Sequence, residues 1–233
     1  MISIVIPTYN EKENIKKLIP RIFKVLKSPQ VIVVDDNSQD GTAELVQSMQ
    51  KKYRIRLIRR PRKMGIGSAY KTGFKAADGD LIFEMDADLS HNPDYLPEFV
   101  KAIESGYDVA IGSRYVNGGA IVGWGLYRKS LSKGANILSK AMLSCNINDV
   151  TTGFRAYKKP ALLSIDFEKI KSDGYSFQLE MLYKLYKNGY KIKEIPIIFK
   201  DRKVGRSKLG RKEMINYIYT ILRLMFYEEK KEK

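Results

Sequence analysis

The chain has 233 residues, enough for one domain with a full core and too few for two domains of equal size. It carries 42 Lys and Arg against 26 Asp and Glu, a formal net charge of +16, which points to an anionic partner such as phosphate, nucleic acid or acidic lipid. A single cysteine, Cys145, excludes an internal disulfide and fits a reducing compartment, and with only one histidine, His91, neither a Cys/His zinc set nor a Ser-His-Asp triad can be assembled.

The N-terminus enters a strand-like run at once. ISIVIP (2–7) and QVIVVDD (30–36) are short β-branched runs, and between them Ile15, Leu18, Ile19, Ile22, Phe23, Val25 and Leu26 recur at helical spacing. TAELVQSMQKKY (42–53) predicts a second helix, IRLIRR (55–60) a third strand, GSAYKTGFKAA (67–77) a third helix and DLIFEMD (80–86) a fourth strand. Strands alternating with helices predict an α/β fold, a mostly parallel sheet flanked by helices, with ligands gathered at the carboxyl ends of the strands. PTYNE, DDNSQDGT and DADLSHNP all fall at such ends.

Beyond residue 113 the alternation loosens into a basic amphipathic stretch (124–144), the segment DVTTGFRAY, a helix at FQLEMLYKLYKNG, one strand at KEIPIIFK and a terminal apolar helix (214–227). Residues 1–113 hold 17 bases and 15 acids, residues 114–233 hold 25 and 11, so the second half carries nearly all of the excess charge. No basic segment followed by an apolar core marks a secretory signal, and no apolar run approaches the roughly 20 residues that span a bilayer. The expected organisation is a single domain, 1–233, with a near-neutral first half (1–113) and a basic second half (114–233).

Asp86 and Asp88 stand one residue apart where a strand ends and the chain turns. One reading is a Mg²⁺ or Mn²⁺ site completed by substrate diphosphate and water; the other is a solvated turn. DDNSQDGT likewise reads as a nucleoside contact at Asp36 or as a turn in which Asp40 or Thr42 caps the next helix. GIGSAY (65–70) has Tyr70 where a dinucleotide fingerprint needs its third glycine, and no P-loop occurs. His91 beside the acidic turn reads as a surface residue. In the 124–144 helix Tyr127, Leu131, Ala135, Leu138 and Met142 share one face and Lys129, Lys133, Asn136 and Lys140 another, which with Trp124 at the start fits a membrane interface or an ordinary surface helix. Arg128 and Ser132 lie one turn apart. Arg155, Arg202, Lys203, Arg206 and Lys208 sit in Gly-containing basic segments that suit phosphates or solvent; a nucleic-acid recognition motif is absent, so no nucleic acid is expected.

Taken in order, IVIPTYNEKENI, VIVVDDNSQDGT, RPRKMGIGSAYKTGF, MDADLSHNP, GSRY, GWGLYRKSLSKGAN, TTGFRAY and DRKVGRSKLG resemble the dolichyl-phosphate mannose synthases of glycosyltransferase family 2. The resemblance covers nearly the whole chain. It implies the GT-A fold, Rossmann-like, with amphipathic acceptor-side helices, in the single-domain type without a transmembrane domain. It also implies inverting transfer of mannose from GDP-mannose to a dolichyl (polyprenyl) monophosphate. By similarity Pro7, Tyr9, Glu11, Val34 and Asp36 hold the guanosine, while Asp86, Ala87 and Asp88 contact the diphosphate and its Mg²⁺ or Mn²⁺, with Asp86 and Asp88 as metal ligands. Arg114, Arg128 and Ser132 map onto positions for the acceptor phosphate, and Arg202 and Lys208 onto a loop over the donor. Asp88, Arg114 and Arg128 are the expected catalytic residues. Ser90 replaces a third metal ligand, Gln, of some relatives.

A phosphate monoester acceptor, with a second pKa near 6, is largely dianionic at neutral pH and needs no general base. Such an enzyme is expected at the cytoplasmic face of a membrane as a peripheral protein, docked through 124–144 and 214–227 or on a membrane-embedded partner subunit. Two other readings stay open: a UDP-glucose-dependent polyprenyl-phosphate glucosyltransferase and a non-catalytic anion- or nucleic-acid-binding protein.

Overall fold

A computed structural model of the chain describes residues 1–201 and 210–226. The apolar runs form the expected strands: β1 (Ile2–Thr8), β2 (Gln30–Asp35), β3 (Ile55–Arg59), β4 (Leu81–Glu84) and β5 (Val109–Ser113). Between them lie α1 (Lys12–Val25), α2 (Thr42–Met49), α3 (Ile66–Lys75) and α4 (Leu96–Glu104). The second half adds β6 (Ala120–Val122), α5 (Leu126–Leu143), β7 (Arg155–Lys158), α6 (Lys159–Leu163), α7 (Gly174–Lys187), β8 (Ile192–Pro196), β9 (Ile198–Lys200) and α8 (Arg211–Met225). Among the described residues, seven strands form one sheet in the order β3-β2-β1-β4-β7-β5-β8, and β6 pairs with β9 in a second. Only β7 runs antiparallel to its neighbours in the large sheet.

Successive strand residues point to opposite faces, and both faces are covered. Ile4, Ile6, Val31, Val33 and Phe83 join Ile15, Leu18, Ile19, Ile22 and Phe99 on one side. Val5, Ile32, Val34, Ile82 and Ile111 join Tyr70, Phe74, Phe177, Leu182 and Ile221 on the other. Each such side chain contributes roughly 1.5–3 kcal/mol on burial. Helix α3 approaches closely because Gly73 faces β1, where a Cβ would lie 2.1 Å from Val5 Cγ1.

The chain runs from β1 to β2 and β3 on one side, then crosses to β4 on the other side of β1. That reversal opens a crevice at the carboxyl ends of β1, β2 and β4, the usual ligand position in such sheets.

The local expectations need four corrections. KEIPIIFK is two strands in different sheets, broken after Pro196, which has no N–H for a ladder. The second helix ends at Met49 rather than Tyr53. Helix α5 splits its expected apolar face: Ala135 and Met142 pack on the core while Tyr127 and Leu138 are exposed, and Ser132, Asn136, Ser139 and Leu143 are buried beside them. The Ser139 hydroxyl and Asn136 amide find partners inside, which a hydrophobicity pattern cannot register. Trp124 is buried beneath Arg128 and Phe199 rather than free for an interface.

Candidate active site

The crevice is built from three strand ends. Beyond β1, Tyr9 is 40% exposed, with the Lys63 ammonium 3.9 Å from its ring centroid. Pro7 lies in register with Val34, whose side chain is wholly in the core. Glu11 accepts a hydrogen bond from Asn14 Nδ2 at 2.6 Å. Thr8 donates its hydroxyl to Asp35 Oδ1 at 2.8 Å, locking the β1 and β2 ends together.

Asp36 is buried and pairs with the Arg60 guanidinium, while the Met64 N–H donates to its Oδ2 at 3.1 Å. Arg60 also donates to Ser68 Oγ and to the Gly65 carbonyl, so Asp36 organises the segment between β3 and α3.

After β4 the chain carries Asp86, buried Ala87 and Asp88. Tyr70, buried in α3, donates its hydroxyl to Asp86 Oδ1 at 2.7 Å. Burial and the neighbouring carboxylates Asp86 and Glu84 push the Tyr70 phenol well above its usual range, so it remains a donor. Leu89 adopts φ +65°, a left-handed conformation uncommon for a branched side chain. The reversal brings Ser90 N and Oγ to Asp88 Oδ1 at 3.1 and 2.5 Å. It also brings His91 Nδ1 within 3.0 Å of the Asp86 N–H, which donates to it.

His91 is therefore a buried structural residue, stacked on Phe154, and the expectation that it lies at the surface is corrected. Burial lowers its pKa, favouring the neutral ring whose Nδ1 accepts. Under the turn, Glu84 is fully buried and takes the Tyr157 hydroxyl at 2.7 Å and the Gln178 amide. Burial pushes its carboxyl up to about 7, against the pull of nearby Arg155.

Arg155 is no phosphate ligand either. Its side chain is fully buried and donates to the carbonyls of Thr152, Gln178 and Val150 at 2.8–2.9 Å. A spacing pattern cannot separate such an arginine from a solvent-facing one.

Arg114, after β5, is buried and forms two side-chain hydrogen bonds to Asp149, at 2.7 and 2.6 Å, and one to Thr151. Burial opposes its charge, but Asp149 outweighs that and raises its pKa further. Its Nε and Nη2 are committed to these partners. Arg128 lies over the Trp124 ring, 3.8 Å from its centroid, and Nη1 reaches both oxygens of Asp201 at 3.0 and 3.1 Å. Arg128 Nε and Trp124 Nε1 are buried with no hydrogen-bond partner among the described residues, two donors side by side at the start of α5. Ser132 follows one turn on. Arg202, Lys203, Arg206 and Lys208 lie outside the described residues.

Among the described residues no group of three or more His, Cys, Asp or Glu side chains is placed to hold a metal ion. The pair Asp86 and Asp88 would suit Mg²⁺ or Mn²⁺ bound by one or two carboxylates with phosphate oxygens and water, rather than an all-protein cage. Ser90 donates to Asp88 and thus supports the pair.

The model of the family described as Glycosyl transferase family 2 matches residues 3–165. The chain is 40% identical over 231 residues to a protein of Pyrococcus furiosus named dolichol-phosphate mannosyltransferase, covering 97% of this chain and 64% of the relative. It is 39% identical over 212 residues to a protein of Mycolicibacterium smegmatis named polyprenol monophosphomannose synthase, covering 89% of this chain and 80% of that one. The chain thus spans just under two thirds of the first relative's length. Among solved structures it resembles glucosyl-3-phosphoglycerate synthase from Mycobacterium tuberculosis in complex with Mn²⁺, UDP and glucosyl-3-phosphoglycerate, with TM-score 0.73 and 19% identity over 99% of this chain and 81% of that one. The complex of the same enzyme with Mg²⁺ and UDP gives TM-score 0.72 at 19% identity over 99% of this chain and 81% of that one. That likeness establishes the GT-A architecture expected from the sequence.

Proposed function

The chain belongs to glycosyl transferase family 2, and on that premise we propose that it transfers mannose, with inversion, from GDP-mannose to a dolichyl (polyprenyl) monophosphate. The observation that carries this reading is the carboxylate pair at the β4 end, beside the β1–β2 crevice, in a chain 40% identical along nearly its whole length to a protein named dolichol-phosphate mannosyltransferase. Pro7, Tyr9, Glu11, Val34 and Asp36 border the nucleoside, and Asp86, Ala87 and Asp88 face the diphosphate. A divalent cation bound there would neutralise charge on the departing diphosphate.

The chain's own residues hold the rest of the geometry. Tyr70 and the His91–Asp86 main-chain contact fix Asp86, and Ser90 fixes Asp88. The unpartnered donors of Arg128 and Trp124, with Ser132 and Arg114, form the cradle for the acceptor phosphate. A dianionic phosphate attacks the anomeric carbon without surrendering a proton, so orientation and electrostatics carry the rate. Arg128 exchanges or shares Asp201 when that phosphate arrives. Arg202 and Lys208, later in sequence than Asp201, are assigned to the donor by resemblance alone.

The protein works at a membrane surface in this reading, as a peripheral enzyme of the cytoplasmic face. No described helix is long and apolar enough to cross a membrane. The outward faces of α5 and α8 expose Leu126, Tyr127, Ile137, Ile215 and Tyr219, and Phe226 just beyond α8 is exposed as well. That surface suits lipid or, equally, a membrane-embedded partner subunit.

A panel of nucleotide sugars offered with one phosphorylated polyprenol and Mg²⁺ or Mn²⁺ tests the reading. Transfer from GDP-mannose, abolished in Asp88→Ala, is expected. Transfer from UDP-glucose alone assigns the chain to glucosyl transfer, and nucleic-acid binding without any turnover removes the enzymatic reading.

A further inference from the structure

Among the described residues, four buried side-chain polar atoms have no hydrogen-bond partner: Tyr115 Oη, Trp124 Nε1, Arg128 Nε and Gln178 Oε1. The first three belong to one cluster. The Arg114 guanidinium lies 5.6 Å from the Tyr115 ring centroid and 5.4 Å from that of Trp124, and Arg128 covers the Trp124 ring at 3.8 Å. Trp124 and Arg128 are part of the acceptor cradle, whereas the family resemblance assigns Tyr115 no role.

The chain places Tyr115 before any ligand arrives. The Gly119 N–H donates to the Val116 carbonyl at 2.9 Å, and a Cβ on Gly119 would stand 2.7 Å from the Ser113 carbonyl oxygen, so the turn after β5 closes tightly on the Arg114–Tyr115 backbone. The Arg114 side chain beside the ring is itself fixed by Asp149. Arg114 and Tyr115 line a cavity of about 470 Å³ that extends along α5, which leaves a ligand room beside them.

Burial raises the Tyr115 phenol above its ordinary value, opposed by the Ser132 hydroxyl and the Arg114 charge, so at neutral pH the hydroxyl is protonated and able to donate. Ser132 is near enough for that influence, yet its hydroxyl is not in hydrogen-bond geometry with Tyr115 Oη.

A buried donor without a partner is a cost that the fold alone does not recover. Three together, one O–H and two N–H groups, match a ligand that only accepts, as an ionised phosphate does. A phosphate monoester has three terminal oxygens, so two can be held by these donors while the third attacks the sugar. Tyr115 and Trp124 are neutral donors, which bond an ionised oxygen strongly and leave the phosphate its charge.

We propose that Tyr115 is a further acceptor-contacting residue, whose hydroxyl donates to a non-attacking oxygen of the phosphate monoester alongside Trp124 Nε1 and Arg128 Nε. This rests on the acceptor-phosphate part of the proposed function and adds a neutral donor to it.

Trp124 is the single tryptophan of the chain, so its fluorescence reports occupation of this cluster without turnover. The full chain, without metal or nucleotide, is titrated with a short-chain polyprenyl monophosphate, with the unphosphorylated polyprenol as control. Tyr115→Phe keeps the ring beside Arg114 and removes the hydroxyl alone. Its Kd for the phosphate ester is expected to rise roughly 10-fold, as loss of a hydrogen bond to a charged group does. The polyprenol response and Mn²⁺–GDP binding, followed by calorimetry, stay as in the parent. The melting temperature stays at or above the parent's, because the hydroxyl removed has no partner inside the fold. An unchanged Kd overturns the role and leaves water as the hydroxyl's partner. A melting temperature several degrees lower overturns it as well, by showing the hydroxyl to be bonded within the protein, and so does an equal loss of Mn²⁺–GDP affinity. A parent whose fluorescence ignores the phosphate ester sinks the acceptor reading of the cluster itself, whatever Tyr115→Phe does.

Discussion

The hydroxyl of Tyr70, in the middle of α3, meets Oδ1 of Asp86 at 2.7 Å and so joins the helix behind the crevice to the carboxylate at its floor. Tyr70 also stacks on Phe177 of α7, ring centroids 6.3 Å apart with the planes 6° from parallel, which fixes the phenol. Tyr70 is a positioning residue for Asp86.

Tyr70→Phe keeps the ring stack and removes only the donor. A hydrogen bond to a charged group is worth about 1.5–3 kcal/mol, so Mn²⁺ binding in the presence of GDP, followed by calorimetry, is expected to weaken roughly 10-fold or more. The melting temperature should move little. Unchanged Mn²⁺ affinity would remove the positioning role.

Asp149 neutralises Arg114 inside the protein, both side chains being less than a tenth exposed. Asp149→Ala strands a buried guanidinium and should cost about 3–5 kcal/mol in urea unfolding. Arg114→Met combined with Asp149→Leu is expected to cost far less than Asp149→Ala alone, since the two sites couple. Additive losses would contradict the pairing.

Arg128 donates to Asp201 and lies over Trp124 with planar geometry that lysine lacks. Arg128→Lys should raise KM for the polyprenyl phosphate about 10-fold, with KM for GDP-mannose unmoved. A rise in the donor KM instead would place Arg128 on the nucleotide side.

Two glycine substitutions should have opposite signs. Gly73→Ala forces a Cβ against Val5 and should destabilise by about 1–3 kcal/mol, whereas Gly134→Ala, in open space on α5, should stabilise by roughly 0.5–1 kcal/mol. Thermal melts of the two variants read both.

Burial pushes the Cys145 thiol up to about 12. Its folded pKa exceeds the ordinary value of 9.0, so its contribution to stability is complete below pH 9 and is lost as pH rises towards 12. The native protein should resist a thiol-disulfide reagent at pH 8 and react fully in urea; rapid native labelling would show the thiol to be accessible.

The first half of the fold was legible because its signals are local. A continuous apolar run buried on both sheet faces and a 3.6-residue period against it are properties of four to fourteen neighbouring residues, and β1, α1, β2 and β4 carry them plainly. Asp36, Asp86 and Asp88 could be located for the same reason: they follow strands, and parallel strands end on one edge. Reading failed where polar groups do core work. Ser132, Asn136 and Ser139 are buried on α5 where Tyr127 and Leu138 are not, and Arg155 and His91 were taken for exposed residues because composition does not reveal an internal partner.

What the sequence determined by itself is the alternation of elements, the edge on which the carboxylates gather and the excess of positive charge beyond residue 113. What only the tertiary structure decided is how those charges are spent. Arg114 finds Asp149 across 35 residues, Arg128 finds Asp201 across 73, and Tyr70 finds Asp86 across a helix-to-strand return. Pattern is set by neighbours along the chain; neutralisation is set by whichever groups packing brings within about 3 Å, and no local spacing encodes that meeting.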